Sequence, residues 1–135
     1  MIIDNEKSWD AFISEELSIH ILQTTEWGLL KQKHGWYSKH LIFSQTGAQI
    51  LFKKFPLGLR LAYIPKGPVG EFTDAFFSKA IAFCRQERAF VLYVEPDAWD
   101  NENERNLNVL KNAGFIESIM SIQPRRTAVI SLLGS

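Results

Sequence analysis

The chain has 135 residues, 46% of them hydrophobic, and its 15 basic residues balance its 15 acidic ones. This size is typical of one domain with a hydrophobic core, and a net charge of zero gives no electrostatic reason to expect DNA binding. A single cysteine, Cys84, excludes an internal disulfide and fits a reducing compartment. There is no apolar run of membrane-spanning length and no signal-peptide pattern, so we expect a cytoplasmic protein.

The first third of the chain predicts two helices with a short strand between them. Ser8 is a suitable cap for a helix over residues 9–16, in which apolar side chains recur at helical spacing. Residues 19–23 are apolar enough for a strand. Thr25 is expected to cap a second helix over residues 26–34, and Gly35 is a typical residue just beyond a helix end.

Three strands are predicted next. Residues 37–43 alternate between apolar and polar, residues 45–47 suit a hairpin turn, and residues 48–55 form the returning strand. A second turn at 56–58 leads into a third strand over 60–64. These segments predict an antiparallel meander.

A glycine- and proline-rich loop, Tyr-Ile-Pro-Lys-Gly-Pro-Val-Gly at 63–70, leads from the third strand to a helix expected to begin near Thr73. A strand, a glycine loop and a helix N-terminus can bind an anion, because backbone N–H groups and the positive end of the helix dipole converge there. However, Pro68 lacks an N–H and Glu71 adds a negative charge, so a rigid connecting loop is an equal alternative.

The second half predicts a helix over 74–88, an apolar central strand over 90–95, a helix over 103–113 and a final pair of strands over 115–122 and 127–133. The connection from 64 to 90 is long enough for a crossover, which would make those two strands parallel. The predicted fold class is therefore mixed α+β or α/β, with a central mixed sheet flanked by helices. This order resembles the GNAT-type N-acyltransferase fold.

Four segments also resemble a narrower family. They are residues 22–28 with Lys31 and the Gly-Trp pair at 35–36, residues 47–53, residues 62–69, and residues 122–125 with the strand that follows. In this order and at these intervals they are similar to the N-terminal half of the FemABX aminoacyltransferases, which build the interpeptide bridge of peptidoglycan.

The resemblance implies that an amino acid is moved from aminoacyl-tRNA to a lysine side chain of a cell-wall precursor, either lipid II or a UDP-linked muropeptide. It implies no cofactor, and a lipid-linked precursor would bring peripheral membrane contact. Members of the family have two GNAT-like domains. Residues 1–135 would be a single such domain, the first half, which mainly binds the precursor and has no assured activity alone.

The resemblance also assigns roles to particular residues. Lys31 matches a helix lysine that contacts the precursor's phosphates, and a solvated surface lysine is the alternative. The glycine loop itself, rather than the resemblance, makes Lys66 an expected contact of an anionic substrate, with a solvent-facing side chain as the alternative. Gly67 is expected to permit close backbone approach to the substrate, unless it only forms a turn. Glu95 matches an acidic residue before a proline and is the expected catalytic residue, which would hold or deprotonate the incoming amine; a strand-end carboxylate bonded to a loop is the alternative.

Trp99, in a polar loop, is expected to offer an exposed ring to a sugar or base, and Arg125 can bind phosphate with two N–H groups. A structural role near the chain end is an equal alternative for Arg125. We expect no metal site, because the three histidines have no ligand spacing with one another or with Cys84. The apolar neighbours of Cys84 indicate core packing rather than a nucleophile.

Two other functions fit the same pattern. One is a small-molecule N-acetyltransferase that uses acetyl-CoA, and the other is a non-catalytic GNAT-like binding domain. The predicted binding role assumes that Lys31 and the turn at 66–70 border one common open cleft that can receive a diphosphate.

Overall fold

The computed structural model describes residues 2–3, 5–97, 103–119 and 122–123. Its helices are α1 (Glu6–Ser14), α2 (Thr25–Gln32), α3 (Asp74–Gln86) and α4 (Asn103–Asn112). Its strands are β1 (Ile2–Ile3), β2 (Trp36–Phe43), β3 (Thr46–Lys54), β4 (Arg60–Pro65) and β5 (Ala89–Glu95). Short 3₁₀ turns cover Ile21–Gln23 and Pro56–Gly58.

Within the described residues the strands form one sheet in the order β1-β2-β3-β4-β5. Neighbours from β1 to β4 are antiparallel, and β4 and β5 are parallel. The chain passes from β4 to β5 through α3, because parallel neighbours need a crossover connection. The predicted mixed sheet flanked by helices, and the parallel pairing across the crossover, are confirmed.

The two faces of the sheet carry different helices. On one face Phe52 of β3 packs with Phe76 and Phe83 of α3 in the main hydrophobic core. Cys84 is buried in the same core, which confirms its predicted packing role. On the other face α1 and α2 cover β2 and β3, and Trp9 of α1 is completely buried there.

The beginnings of the first two helices differ from the predicted ones. Asn5, not Ser8, caps α1 by accepting the Lys7 N–H (2.9 Å). Thr24, not Thr25, caps α2. The strand predicted over 19–23 is wrong, because the chain turns there: the His20 ring accepts the Leu22 N–H, and the 3₁₀ turn follows.

The prediction that β5 is a central strand buried on both faces is wrong for the described part of the chain. β5 pairs only with β4 there, and most of its side chains are half-buried. The strand predicted from 115 is also wrong over 115–119. The Phe115 N–H instead bonds to Leu110 O at the end of α4, and the Phe115 ring packs edge-on against Phe77. The strand predicted over 127–133 lies outside the described residues.

Candidate functional site

A buried pair of glutamines fixes the start of α2 to the sheet. Gln23 and Gln49 have no exposed surface. Gln23 donates from Nε2 to Pro65 O (2.6 Å) and accepts the Gln49 N–H at Oε1 (2.7 Å). Gln49 in turn donates from Nε2 to Leu22 O (3.2 Å) and Thr24 O (2.8 Å). Because buried amides cost free energy unless they are bonded, this pairing sets where α2 begins.

His40 and Trp9 extend this network. His40 Nε2 lies 3.0 Å from Gln49 Oε1, and its ring stacks on Trp9 with the centroids 4.9 Å apart. Trp9 Nε1 donates to Gln23 O (2.9 Å). Sequence reasoning missed this network. Its one trace in the sequence is the polar Gln49 inside the otherwise apolar run of β3.

Gly28 allows α2 to lie close against the sheet. A Cβ at this position would lie 2.6 Å from Gln49 Oε1 and 2.8 Å from Ser38 Oγ, so a larger residue would push the helix away. Lys31 follows about one turn later on the same helix. Gly28 and the glutamine pair therefore place Lys31 over the sheet.

The Lys31 ammonium lies between two indole rings. Its Nζ is 5.6 Å from the ring centroid of Trp27 and 5.3 Å from that of Trp36. A cation is attracted to an indole face, so the two rings restrain a side chain that is otherwise mobile. Lys31 and Trp36 are both half-buried, so this positive charge is held in place and remains accessible.

The surface continues from Trp36 across β4 to β5. The Trp36 ring centroid lies 6.4 Å from that of Tyr63, and Tyr63 donates its O–H to Glu95 Oε2 (3.2 Å). Burial is the main cause that raises the pKa of Tyr63, and the negative charge of Glu95 raises it further. The phenol therefore stays a proton donor. We call Lys31, Trp27, Trp36 and Glu95, with the buried Tyr63 that links Trp36 to Glu95, the Lys31 face.

Glu95 lies at the end of β5, as the sequence predicted, and it holds the segment that follows α4. Besides the Tyr63 O–H, its carboxylate accepts the N–H groups of Ile122 (2.6 Å) and Gln123 (3.0 Å). These donors occupy most of the acceptor positions of a carboxylate. This is the loop-bonded arrangement that the sequence left open, and the catalytic role of Glu95 stays a prediction.

The loop after β4 borders a cavity of about 410 Å³ at the end of the sheet. Its described lining includes Ser18, His20, Lys66, Gly70, Asp97 and Arg105. Lys66 adopts a left-handed backbone conformation (φ 49°) and contributes a positive charge. Glu71 forms an exposed ion pair with Arg105 (2.7 Å), so both signs of charge are present around this cavity.

The backbone of this loop offers fewer donors than the sequence pattern suggested. The Val69 N–H donates to Gly47 O (2.7 Å), and Pro68 has no N–H. The loop glycines pack against the chain itself: a Cβ at Gly67 would lie 2.8 Å from Gln23 Nε2, and one at Gly70 would collide with Gln45 O. Close packing therefore accounts for Gly67, whose predicted substrate contact stays a prediction.

The common cleft expected for Lys31 and the turn at 66–70 is not formed. Lys66 lines the cavity, whereas Lys31 is not among the lining residues. Lys31 lies over Trp36 of β2. Trp36 pairs with Lys53 of β3, and Lys53 pairs with Leu61 of β4, which is four residues before the end of β4 at Pro65. Four residues of strand span about 13 Å. The two lysines therefore lie at different parts of the sheet surface, and the described structure does not support a shared diphosphate site.

The remaining predicted substrate-binding residues, Trp99 and Arg125, lie outside the described residues. Across the described part of the chain, no group of three or more His, Cys, Asp or Glu residues is arranged to hold a metal ion.

The comparison with family models decides the classification. The model of the FemAB family matches residues 5–123, which include α1 to α4, β2 to β5 and the Lys31 face. The chain belongs to the FemAB family. The resemblance noted in the sequence is thereby confirmed.

Relatives and a solved structure agree with this. The chain is 31% identical to lipid II:glycine glycyltransferase of Staphylococcus aureus, over 96% of its own length and 35% of the relative's. The same figures hold for the enzyme of strain USA300. The crystal structure of FemX superposes with a TM-score of 0.72 at 28% identity, covering 83% of this chain and 31% of FemX.

The FemAB chain thus spans about a third of the length of these relatives. None of its described helices has the length and apolar character needed to cross a membrane.

Proposed function

We propose that this FemAB chain is the N-terminal, GNAT-like, precursor-binding part of an aminoacyltransferase that forms the interpeptide bridge of peptidoglycan. The acceptor is lipid II or a UDP-linked muropeptide, and the donor is an aminoacyl-tRNA. The family membership and the relatives named lipid II:glycine glycyltransferase support this proposal. The donor requires the reaction to take place in the cytoplasm.

The observation that carries the proposal is the Lys31 ammonium held between Trp27 and Trp36 on a partly open face. Both acceptors carry a diphosphate, and an ammonium restrained before binding loses less conformational freedom when it contacts a phosphate. The neighbouring Trp36 ring is half-buried and offers an apolar surface for a sugar or base.

In the proposed reaction the lysine nitrogen of the precursor attacks the ester carbonyl carbon of aminoacyl-tRNA. A C–N amide bond forms, the C–O ester bond breaks, and the ribose oxygen leaves with a proton. Glu95 is proposed to hold or deprotonate the amine, for which it must release one of its present donors. Lys66, Gly67, Trp99 and Arg125 remain proposed contacts of the substrates.

Lys31→Ala tests this function. In a calorimetric titration with a UDP-linked muropeptide, we expect at least about tenfold weaker binding, because a charge-assisted contact contributes roughly 1.5–3 kcal/mol. The matched control is Lys33→Ala, which removes an exposed lysine at the end of the same helix and should bind as wild type does. Equal affinities for all three proteins would contradict the role of Lys31.

The loop geometry weighs against the acetyl-CoA alternative. The pyrophosphate of that cofactor would need free N–H groups after β4, and Val69 and Pro68 do not provide them. Thermal unfolding with acetyl-CoA separates the two functions, since only an N-acetyltransferase should show a melting temperature that rises with the dose.

A further inference from the structure

We propose that Lys53 is a second phosphate-binding residue, and that Lys31 and Lys53 form a two-ammonium site for a diphosphate around one contact residue, Trp36. The Lys53 Nζ lies 5.6 Å from the Trp36 ring centroid, and the Lys31 Nζ lies 5.3 Å from it. One lysine comes from α2 and the other from β3, so two separate elements supply the charges. This inference rests on the proposed function, which places the precursor at Lys31.

The sheet register puts Lys53 on the Lys31 face. Trp36 and Lys53 are direct partners in the antiparallel pair of β2 and β3, so their side chains project from the same side of the sheet. The next residue, Lys54, projects from the opposite side, where its Nζ lies 5.7 Å from the Tyr37 ring centroid. Adjacent lysines of the same strand therefore face different surroundings.

Both ammonium groups lack a counter-charge in the described part of the chain. No carboxylate described there lies within ion-pair distance of Lys31 or Lys53, whereas Lys39 and Arg60 on the other face share Glu87. Two like charges near one indole repel each other, and an anion that contacts both offsets that repulsion. Each ammonium lies within 5.6 Å of the Trp36 ring centroid, and a diphosphate carries charge on both phosphates, so we infer that each phosphate contacts one ammonium.

The experiment compares Lys53→Gln with Lys54→Gln, which removes the same charge from the next residue on the opposite face. Two probes are titrated into each protein: a UDP-linked muropeptide and inorganic pyrophosphate. We expect Lys53→Gln to weaken the binding of both probes about tenfold, and Lys54→Gln to leave both within about twofold of wild type. The dependence of binding on salt should also be shallower for Lys53→Gln, since one charge fewer takes part.

The outcomes separate the two proposals. If Lys31→Ala weakens muropeptide binding while Lys53→Gln matches Lys54→Gln, the two-ammonium site is refuted and the proposed function stands. If pyrophosphate binds in a Lys53-dependent way but the muropeptide does not bind, the site stands and the proposed function fails. If neither probe binds the wild-type protein, both are refuted.

Discussion

Replacing Gln49 by methionine removes the centre of the buried polar network while keeping a side chain of similar length. Three interactions are lost: the bonds from Nε2 to Leu22 O and Thr24 O, and the contact of Oε1 with His40 Nε2. Thr24 O keeps a second donor, the Gly28 N–H, so the cost falls mainly on Leu22 O and His40.

The magnitude follows from this accounting. Each lost bond contributes about 1 kcal/mol, and a buried acceptor deprived of its donor adds 1 kcal/mol or more. Part of this cost is offset because methionine is apolar and Gln49 is completely buried. We expect a loss of about 3 kcal/mol in the free energy of unfolding, a large share of the roughly 5–15 kcal/mol of a typical domain.

Urea unfolding followed by tryptophan fluorescence measures this loss. With a denaturant dependence of about 2 kcal/mol per molar urea, the midpoint should fall by about 1.5 M. Gln32→Met is the matched control, because Gln32 is exposed on α2 and the same substitution there should change stability by less than about 0.5 kcal/mol. Midpoints of the two variants within about 0.3 M of each other would refute the role given to the network.

Three further predictions concern two buried groups on the other face of the sheet. The Tyr37 hydroxyl is buried without a hydrogen-bond partner among the described residues, so Tyr37→Phe should leave the free energy of unfolding unchanged or raise it by up to about 1 kcal/mol; a loss above that in urea unfolding would reveal a missing partner. Burial raises the pKa of the Cys84 thiol from 9.0 to about 12. The folded chain therefore keeps a proton that the unfolded chain loses, and stability should fall as the pH rises from 9 towards 12, less steeply in Cys84→Ala. A thiol reagent at pH 8 should react slowly with Cys84 until urea is added, and fast reaction with the folded protein would contradict its burial.

Local sequence signals predicted much of the fold. Alternation and turn residues located β2, β3 and β4, and helical periodicity after Thr73 located α3. Errors arose where a local pattern competed with tertiary contacts. Residues 19–23 are apolar enough for a strand, yet Gln23 has to reach the Pro65 carbonyl, and the 3₁₀ turn makes this possible.

The candidate site was only partly predictable. Lys31 was found through the family resemblance, and Glu95 through its place at a strand end. The indole rings that hold the Lys31 ammonium come from α2 and β2, and no spacing rule links a helix lysine to a ring on a strand. Lys53 and Lys54 look alike in the sequence, and only the register of β3 against β2 assigns them to different faces.

The sequence by itself determined the order of most helices and strands, the crossover and the family, because these depend on local periodicity, turn chemistry and motifs in register. Only the tertiary structure decided that Lys31 and Lys66 lie apart, and that two glutamines join α2 to the sheet. The reason is physical: distances between segments remote in sequence depend on how side chains pack and which buried polar groups must find partners.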